Sequence, residues 1–242
     1  MLTNEHLTIN KNKIKKDGFT IIKDVFSNNE IRELARLIEQ TDQSRDSFRH
    51  SSDLFAVRQL IKEIPNLNTG IFNNNLRAII SQLFGSDYFI VKSIYFDKPE
   101  TSNWYVSYHQ DLTISVLKKV NTEGFSNWTV KQKQYAVQPP LEILENIVTI
   151  RIHLDDTDAE NGALNIIPGS HNKGVYRPET IDWTSEREEN CPVPAGGIMI
   201  MKPLLLHSSK RTSNNKRRRV IHIEFANIEL PNNLHWAERL SY

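Results

Sequence analysis

Residues 147–171 read IVTIRIHLDDTDAENGALNIIPGSH. The opening run, 147–154, is rich in β-branched and apolar side chains, the composition of a strand. DAENG at 158–162 and PGSH at 168–171 are turn signals, and a short apolar run at 163–167 lies between them. Strand, turn, strand and turn in such close succession predict a β-sandwich or jelly roll.

The same texture extends in both directions. Further β-rich runs stand at 88–96, 105–109, 197–201, 204–208 and 217–225, with PAGG at 194–197 and TSNNK at 212–216 as turns. Before residue 88 the pattern differs. GFTIIKDV at 18–25 suits a short strand, and Ser27 with Glu30 forms a capping-box signature. Ile31, Leu34, Ala35 and Ile38 follow at helical spacing. A second helix is expected over 76–84, with Ile79, Ile80 and Leu83 on one face and Gly85 as its stop. Helices first and strands afterwards predict an α+β chain with a mainly β core and helices packed on one sheet. Residues 112–140 are the longest unassigned stretch and are expected to form a lid or binding loop. Phe125 and Trp128 within it serve equally well as packing residues. The expected organisation is one domain over 1–242: an N-terminal strand and helices at 1–87, a core at 88–225 and a tail at 226–242.

Composition excludes several classes. The chain has 242 residues with 30 basic and 29 acidic side chains, a formal charge of +1, which argues against a dedicated nucleic-acid binder. Cys191 is the single cysteine, so no intrachain disulfide and no cysteine-based metal cage can form. No apolar run reaches the ~20 residues of a spanning helix. Residues 1–9 lack the cationic start and apolar core of a signal peptide. The expectation is a cytoplasmic protein, monomer or homodimer, with no nucleic-acid or membrane partner.

Three histidines have a carboxylate two residues on: His109 with Asp111, His153 with Asp155, and His222 with Glu224. On a strand, such a pair presents an imidazole and a carboxylate on one face. One further histidine from a neighbouring strand completes a 2-His-1-carboxylate triad, which leaves positions of an iron(II) octahedron open. His109 and Asp111 end a strand and open onto the unassigned segment. His153 and Asp155 also read as a plain strand end and turn. His222 and Glu224 lie inside a strand whose other face is Ile221, Ile223 and Phe225. His207, after Leu204–Leu206, is a candidate third ligand. Arg218 follows across the turn at 212–216 and, if the two strands pair as a hairpin, reaches the same cavity to bind a carboxylate. Lys216, Arg217 and Arg219 read as a solvated basic edge.

The residues now resemble a known family. FDKP (96–99), NWYVSYHQD (103–111), QPP (138–140), TIRIHLDDTDAENGALNIIPGSH (149–171), GG (196–197), and HSS followed by RRRVIH (207–222) stand in the order found in the phytanoyl-CoA dioxygenase family. The likeness spans residues 90 to 225. It implies a double-stranded β-helix, a form of jelly roll, that uses iron(II), 2-oxoglutarate and O2. It implies that His109, Asp111 and His207 are the iron ligands. By the same resemblance Arg218 anchors the distal carboxylate of 2-oxoglutarate with help from Ser209. Arg151 and Ile94 match positions lining the co-substrate pocket; some family members carry tryptophan at the first. Trp104 and Gln110 are expected pocket walls, and Arg58 is a second cation near co-substrate or substrate. Relatives that halogenate replace the carboxylate ligand with a small residue, so Asp111 implies hydroxylation of a small-molecule substrate at a C–H bond, releasing succinate and CO2. Desaturation, cyclisation and epoxidation share these cofactors. A non-catalytic jelly-roll ligand-binding module is the reading from another class.

Overall fold

The computed structural model describes residues 3–42, 44–45, 47–50, 55–100, 104–131 and 133–242. Asn103, which opens the NWYVSYHQD motif, and Met1 and Leu2 of the N-terminal stretch lie outside the described residues. Among the described residues the helices are α1 (Asn4–Asp17), α2 (Asn28–Glu39), α3 (Leu60–Glu63), α4 (Leu67–Ile71), α5 (Asn74–Phe84) and α6 (Leu141–Glu145). The strands are β1 (Phe19–Ile22), β2 (Phe48–His50), β3 (Phe55–Arg58), β4 (Phe89–Lys98), β5 (Val106–His109), β6 (Ile114–Val116) and β7 (Ser126–Lys131). They continue with β8 (Gln134–Gln138), β9 (Val148–His153), β10 (Leu164–Ile166), β11 (Glu189–Cys191), β12 (Ile198–Met201), β13 (His207–Ser209) and β14 (Arg218–Ala226). No helix among the described residues is long and apolar enough to cross a membrane.

Local chemistry sets the helices. Ser27 Oγ accepts the Glu30 N–H while the Glu30 carboxylate accepts the Ser27 N–H (2.7 Å), the reciprocal cap expected for α2. Asn73 caps α5, and Gly85 ends it. Helix α1 was not foreseen because its apolar positions are sparse. Its Asn10 is buried and accepts a hydrogen bond from Thr20 (2.6 Å), and Gly18 closes it with a left-handed backbone (φ 87°).

The larger sheet is antiparallel in the order β1-β12-β9-β14-β4-β3-β2, and the smaller runs β11-β10-β13-β5. The alternation of β14 orients the larger sheet. Ile221, Ile223 and Phe225 join Ile150, Ile152 and Ile200 in a core covered by α1–α5. Arg218, Val220, His222 and Glu224 share the opposite face, toward the smaller sheet. Between the sheets, Phe19, Leu164, Ile166, Met199, Met201 and Leu205 fill the space beneath β1 and β12. Beneath β3, β4, β14 and β9 it stays open as a cavity of about 330 Å³.

Three expectations change. His207 and Arg218 do not form a hairpin: β13 and β14 lie in different sheets, and Arg218 reaches the His207 cavity across the interior. Residues 202–206 form a turn rather than the first part of a strand, with the Leu205 N–H bonded to Lys202 O (3.0 Å) and Pro203 unable to donate. The basic run is only in part a solvated edge: Lys216 precedes β14 and is exposed, while β14 is paired on one side from Arg218 and on both from Val220. Arg219 bonds Asp155 through Nε (2.9 Å) and Nη2 (2.7 Å), Arg217 pairs with Asp97, and both reach Glu39.

Residues 112–140, left unassigned above, contain a third antiparallel sheet in the order β6-β8-β7. One face, with Ile114, Val116, Tyr135 and Val137, packs on Ile143, Leu144 and Trp236, and Phe125 and Trp128 join that packing. The C-terminal stretch is also packed: Leu234, Trp236 and Ala237 are buried, and Leu240 bridges to Ile90.

Glu238 in this stretch is fully buried and accepts hydrogen bonds from the Ser93 N–H (2.7 Å) and hydroxyl. Burial pushes its carboxyl up to about 6, from an ordinary 4.5, against the pull of Ser93 and Lys62. A carboxyl raised on folding favours the folded state when protonated, so its contribution falls as pH rises between those two values. Glu238→Gln is expected to exceed the wild type in stability by about 2 kcal/mol above pH ~6 and to lose that advantage below pH ~4.5. Urea denaturation across that range measures the difference; a constant gap would refute it.

Candidate active site

Antiparallel pairing of β5 with β13 sets His109 directly opposite His207. Their ring centroids are 4.2 Å apart. Each Nδ1 faces a carbonyl two residues earlier, Ser107 O at 2.9 Å and Leu205 O at 2.8 Å. A carbonyl only accepts, so each Nδ1 carries the proton and each Nε2 presents a lone pair. Asp111 Oδ1 lies 3.9 Å from His109 Nε2, and Oδ2 lies 3.9 Å from His207 Nε2. These gaps are too long for hydrogen bonds. An ion bonded at about 2.1 Å to each atom spans up to about 4.2 Å, so the donors suit a metal. Burial lowers His207 to about 4, aided by His109 and Arg151 against the pull of Asp111, which keeps the ring neutral and able to bind metal. Burial opposes the Asp111 charge, but His207, His222, Lys92 and His109 outweigh it and hold the carboxyl well below the usual range.

Asp111 stands just past β5, where its N–H bonds Pro203 O (2.9 Å). Gln110 fastens this corner. Its Nε2 donates to Leu204 O (2.6 Å) and Gly174 O (2.9 Å), and its Oε1 accepts the Tyr176 N–H (2.8 Å). Its side chain is thus spent on the scaffold and does not line the cavity, unlike the wall expected from the sequence.

Arg218 is buried on the cavity wall with Ser209, its Nη1 donating to Gly162 O and lying 3.4 Å from Ser209 Oγ. Its Nε has no hydrogen-bond partner, and no carboxylate among the described residues pairs with it. Burial and the Arg151 charge push it down to about 9. Lys98, its cross-strand neighbour on β4, is also fully buried and donates to Lys210 O (2.6 Å). Burial and Arg218 push Lys98 down to about 8. Gly162 (φ +90°) permits this convergence: a Cβ there would lie 3.0 Å from Lys98 Nζ and 3.1 Å from Ser209 Oγ. Buried cations beside a hydroxyl and without a carboxylate fit a di-acid co-substrate.

Cross-strand pairing sets Arg58, Ile94, His222 and Arg151 in one row on the inner face. Arg58, Arg151, His222 and Trp104 line the cavity; Ile94 is buried in the row but forms no part of the wall. Arg151 Nη1 donates to His222 Nδ1 (3.3 Å), His222 Nε2 meets Glu224 Oε1 (3.2 Å), and Lys92 Nζ donates to the same oxygen (2.7 Å). Asp111, His222 and Glu224 are the second grouping close enough for an ion, but these bonds already engage His222 and Glu224. His153 bonds Thr157 (2.7 Å) and Asp155 holds Arg219, so that pair is structural. Sequence reading missed Lys98; its signal is the lysine of FDKP at a strand end facing Arg218.

The family model for phytanoyl-CoA dioxygenase (PhyH) matches residues 14–220. A Caenorhabditis elegans protein, phytanoyl-CoA dioxygenase domain-containing protein 1 homolog, is 20% identical over 275 residues, covering 95% of this chain and 93% of its own. Among solved structures, EctD from S. alaskensis in its apoform superposes with a TM-score of 0.70 at 16% identity, over 93% of this chain and 79% of its own. The epimerase SnoN in complex with Fe3+, alpha ketoglutarate and nogalamycin RO gives 0.66 at 16% identity, over 99% and 94%. The carbocyclase SnoK from nogalamycin biosynthesis gives 0.65 at 15%, over 93% and 84%. At these identities the likeness carries the fold, a jelly roll with helices on one sheet.

Proposed function

The chain belongs to the phytanoyl-CoA dioxygenase family, and from that premise we propose that it is an iron(II)/2-oxoglutarate-dependent dioxygenase that hydroxylates a small molecule at a C–H bond. One observation carries the reading: three ligand atoms converge without bonding one another, and a guanidinium that no carboxylate among the described residues pairs with stands on the same cavity wall. His109, Asp111 and His207 would hold the metal at the cavity wall, a ligand set of the 2-His-1-carboxylate kind. Arg218 and Ser209 bind the distal carboxylate of 2-oxoglutarate, and Lys98 adds a second positive charge behind them. Trp104 and Arg151 belong to the wall that orients co-substrate and substrate and excludes water. Iron(II) with 2-oxoglutarate supplies, with dioxygen, an oxidative decarboxylation to succinate and CO2 coupled to oxidation of the substrate.

The test is anaerobic titration with iron(II) and 2-oxoglutarate, followed by a succinate-release screen against a metabolite collection. A weak visible charge-transfer band and a product one oxygen atom heavier than its substrate are expected. A protein that forms no such chelate is not this enzyme. A product lighter by two hydrogens reassigns the reaction to desaturation or ring closure.

A further inference from the structure

We propose that the substrate is a small organic anion, a carboxylate or phosphate monoester, held over the metal by Arg151 and Arg58. This names the substrate class of the same site and therefore rests on the oxygenase reading. Arg151 and Arg218 line the cavity with one carboxylate among the described residues, that of Asp111. Iron(II), Asp111 and the 2-oxoglutarate dianion together carry a single negative charge, and the co-substrate takes up Arg218. The loaded cavity keeps an excess of positive charge, and a low-dielectric wall selects a ligand that neutralises it.

Arg151 is the sharpest case. It is buried, its Nε has no hydrogen-bond partner, and its Nη1 spends itself on His222 rather than on a carboxylate. Arg58 adds a second positive charge in the same row, with apolar Ile94 between it and His222.

The chamber beyond Arg58 has the same character. A space of about 80 Å³ is bounded by Arg58, Lys92, Thr113, Ser115, Thr129 and Gln134, with Ala136 among them. Ser115, Thr129 and Gln134 form the polar face of the third sheet, whose apolar face is spent on its own core. Hydroxyl and amide donors beside a guanidinium suit anionic oxygen atoms. With about 330 Å³ to share with the co-substrate, the reacting part of the substrate is small.

The test uses the intact protein loaded anaerobically with iron(II) and 2-oxoglutarate. Four probes perturb the charge-transfer band: hexanoate against hexanamide, and butyl phosphate against butanol. At least one anion is expected to shift the band at a concentration roughly tenfold or more below that of its neutral partner. The two arms tell carboxylate from phosphate. Arg151→Met and Arg58→Met are each expected to remove most of that preference, with Arg58→Lys retaining it. Equal response to charged and neutral probes overturns the proposal, and that comparison needs no variant. Loss of the band relieved by added 2-oxoglutarate also overturns it, because the anion then merely competes for the metal. A preference that survives both methionine variants does the same. Failure of the band to form at all removes the oxygenase reading itself, a result distinct from the others.

Discussion

Asp111→Ala is expected to abolish substrate-dependent succinate release and to weaken iron(II) binding by more than about 100-fold, the loss that changes one shell further out already approach. Among the described residues Asp111 is the one carboxylate on the cavity wall, with Oδ1 3.9 Å from His109 Nε2 and Oδ2 3.9 Å from His207 Nε2. Without it the ion keeps two neutral donors and loses its anionic one. The fold does not depend on that side chain, because what ties residue 111 down is its own N–H to Pro203 O, which alanine keeps. Metal-free Asp111→Ala therefore retains its circular dichroism spectrum while equilibrium dialysis reports the loss of iron. His109→Ala follows the same course. Turnover like that of the wild type in either variant would defeat the ligand assignment.

Arg218→Met separates co-substrate from metal. Each charge-assisted bond to a carboxylate is worth about 1.5–3 kcal/mol, so the 2-oxoglutarate requirement rises roughly 10- to 150-fold while the iron requirement stays put. Stability moves the other way. Arg218 is buried beside Lys98 and the Arg151 charge, with no carboxylate partner among the described residues. Removing an uncompensated buried cation relieves desolvation and like-charge repulsion. The protein without co-substrate is expected to be at least as stable as the wild type in urea, and the Lys98 ammonium to regain part of its ordinary basicity. A variant that loses stability with no change in 2-oxoglutarate requirement would make Arg218 a structural residue.

Most of the frame was legible because period-2 alternation survives burial. In β14 the apolar row Ile221, Ile223 and Phe225 and the polar row Arg218, His222 and Glu224 follow from the sequence alone, as does the Ser27–Glu30 cap. Which strands pair across the sandwich was not legible. A turn such as 212–216 looks the same whether it joins partners in one sheet or carries the chain to the facing one, hence the hairpin expected between His207 and Arg218. The third sheet escaped for a different reason. QYAVQ at 134–138 alternates over only five residues, and its neighbours include left-handed Asn127 and Lys133. Arg217 and Arg219 read as solvent-facing because Asp97 and Asp155 are remote in sequence. Gln110 read as a wall because nothing local reveals that its amide reaches backbone groups near residues 174 and 204.

That glutamine bears on how the centre is assembled. Its neighbours on either side are the two proposed ligands of the motif, and its three bonds to main-chain atoms leave them little freedom to drift. The nest for the ion is thus a property of the polypeptide before any ion arrives. Stripping with a chelator should leave a correctly shaped vacancy, and refilling should proceed in one bimolecular encounter with no slow refolding phase.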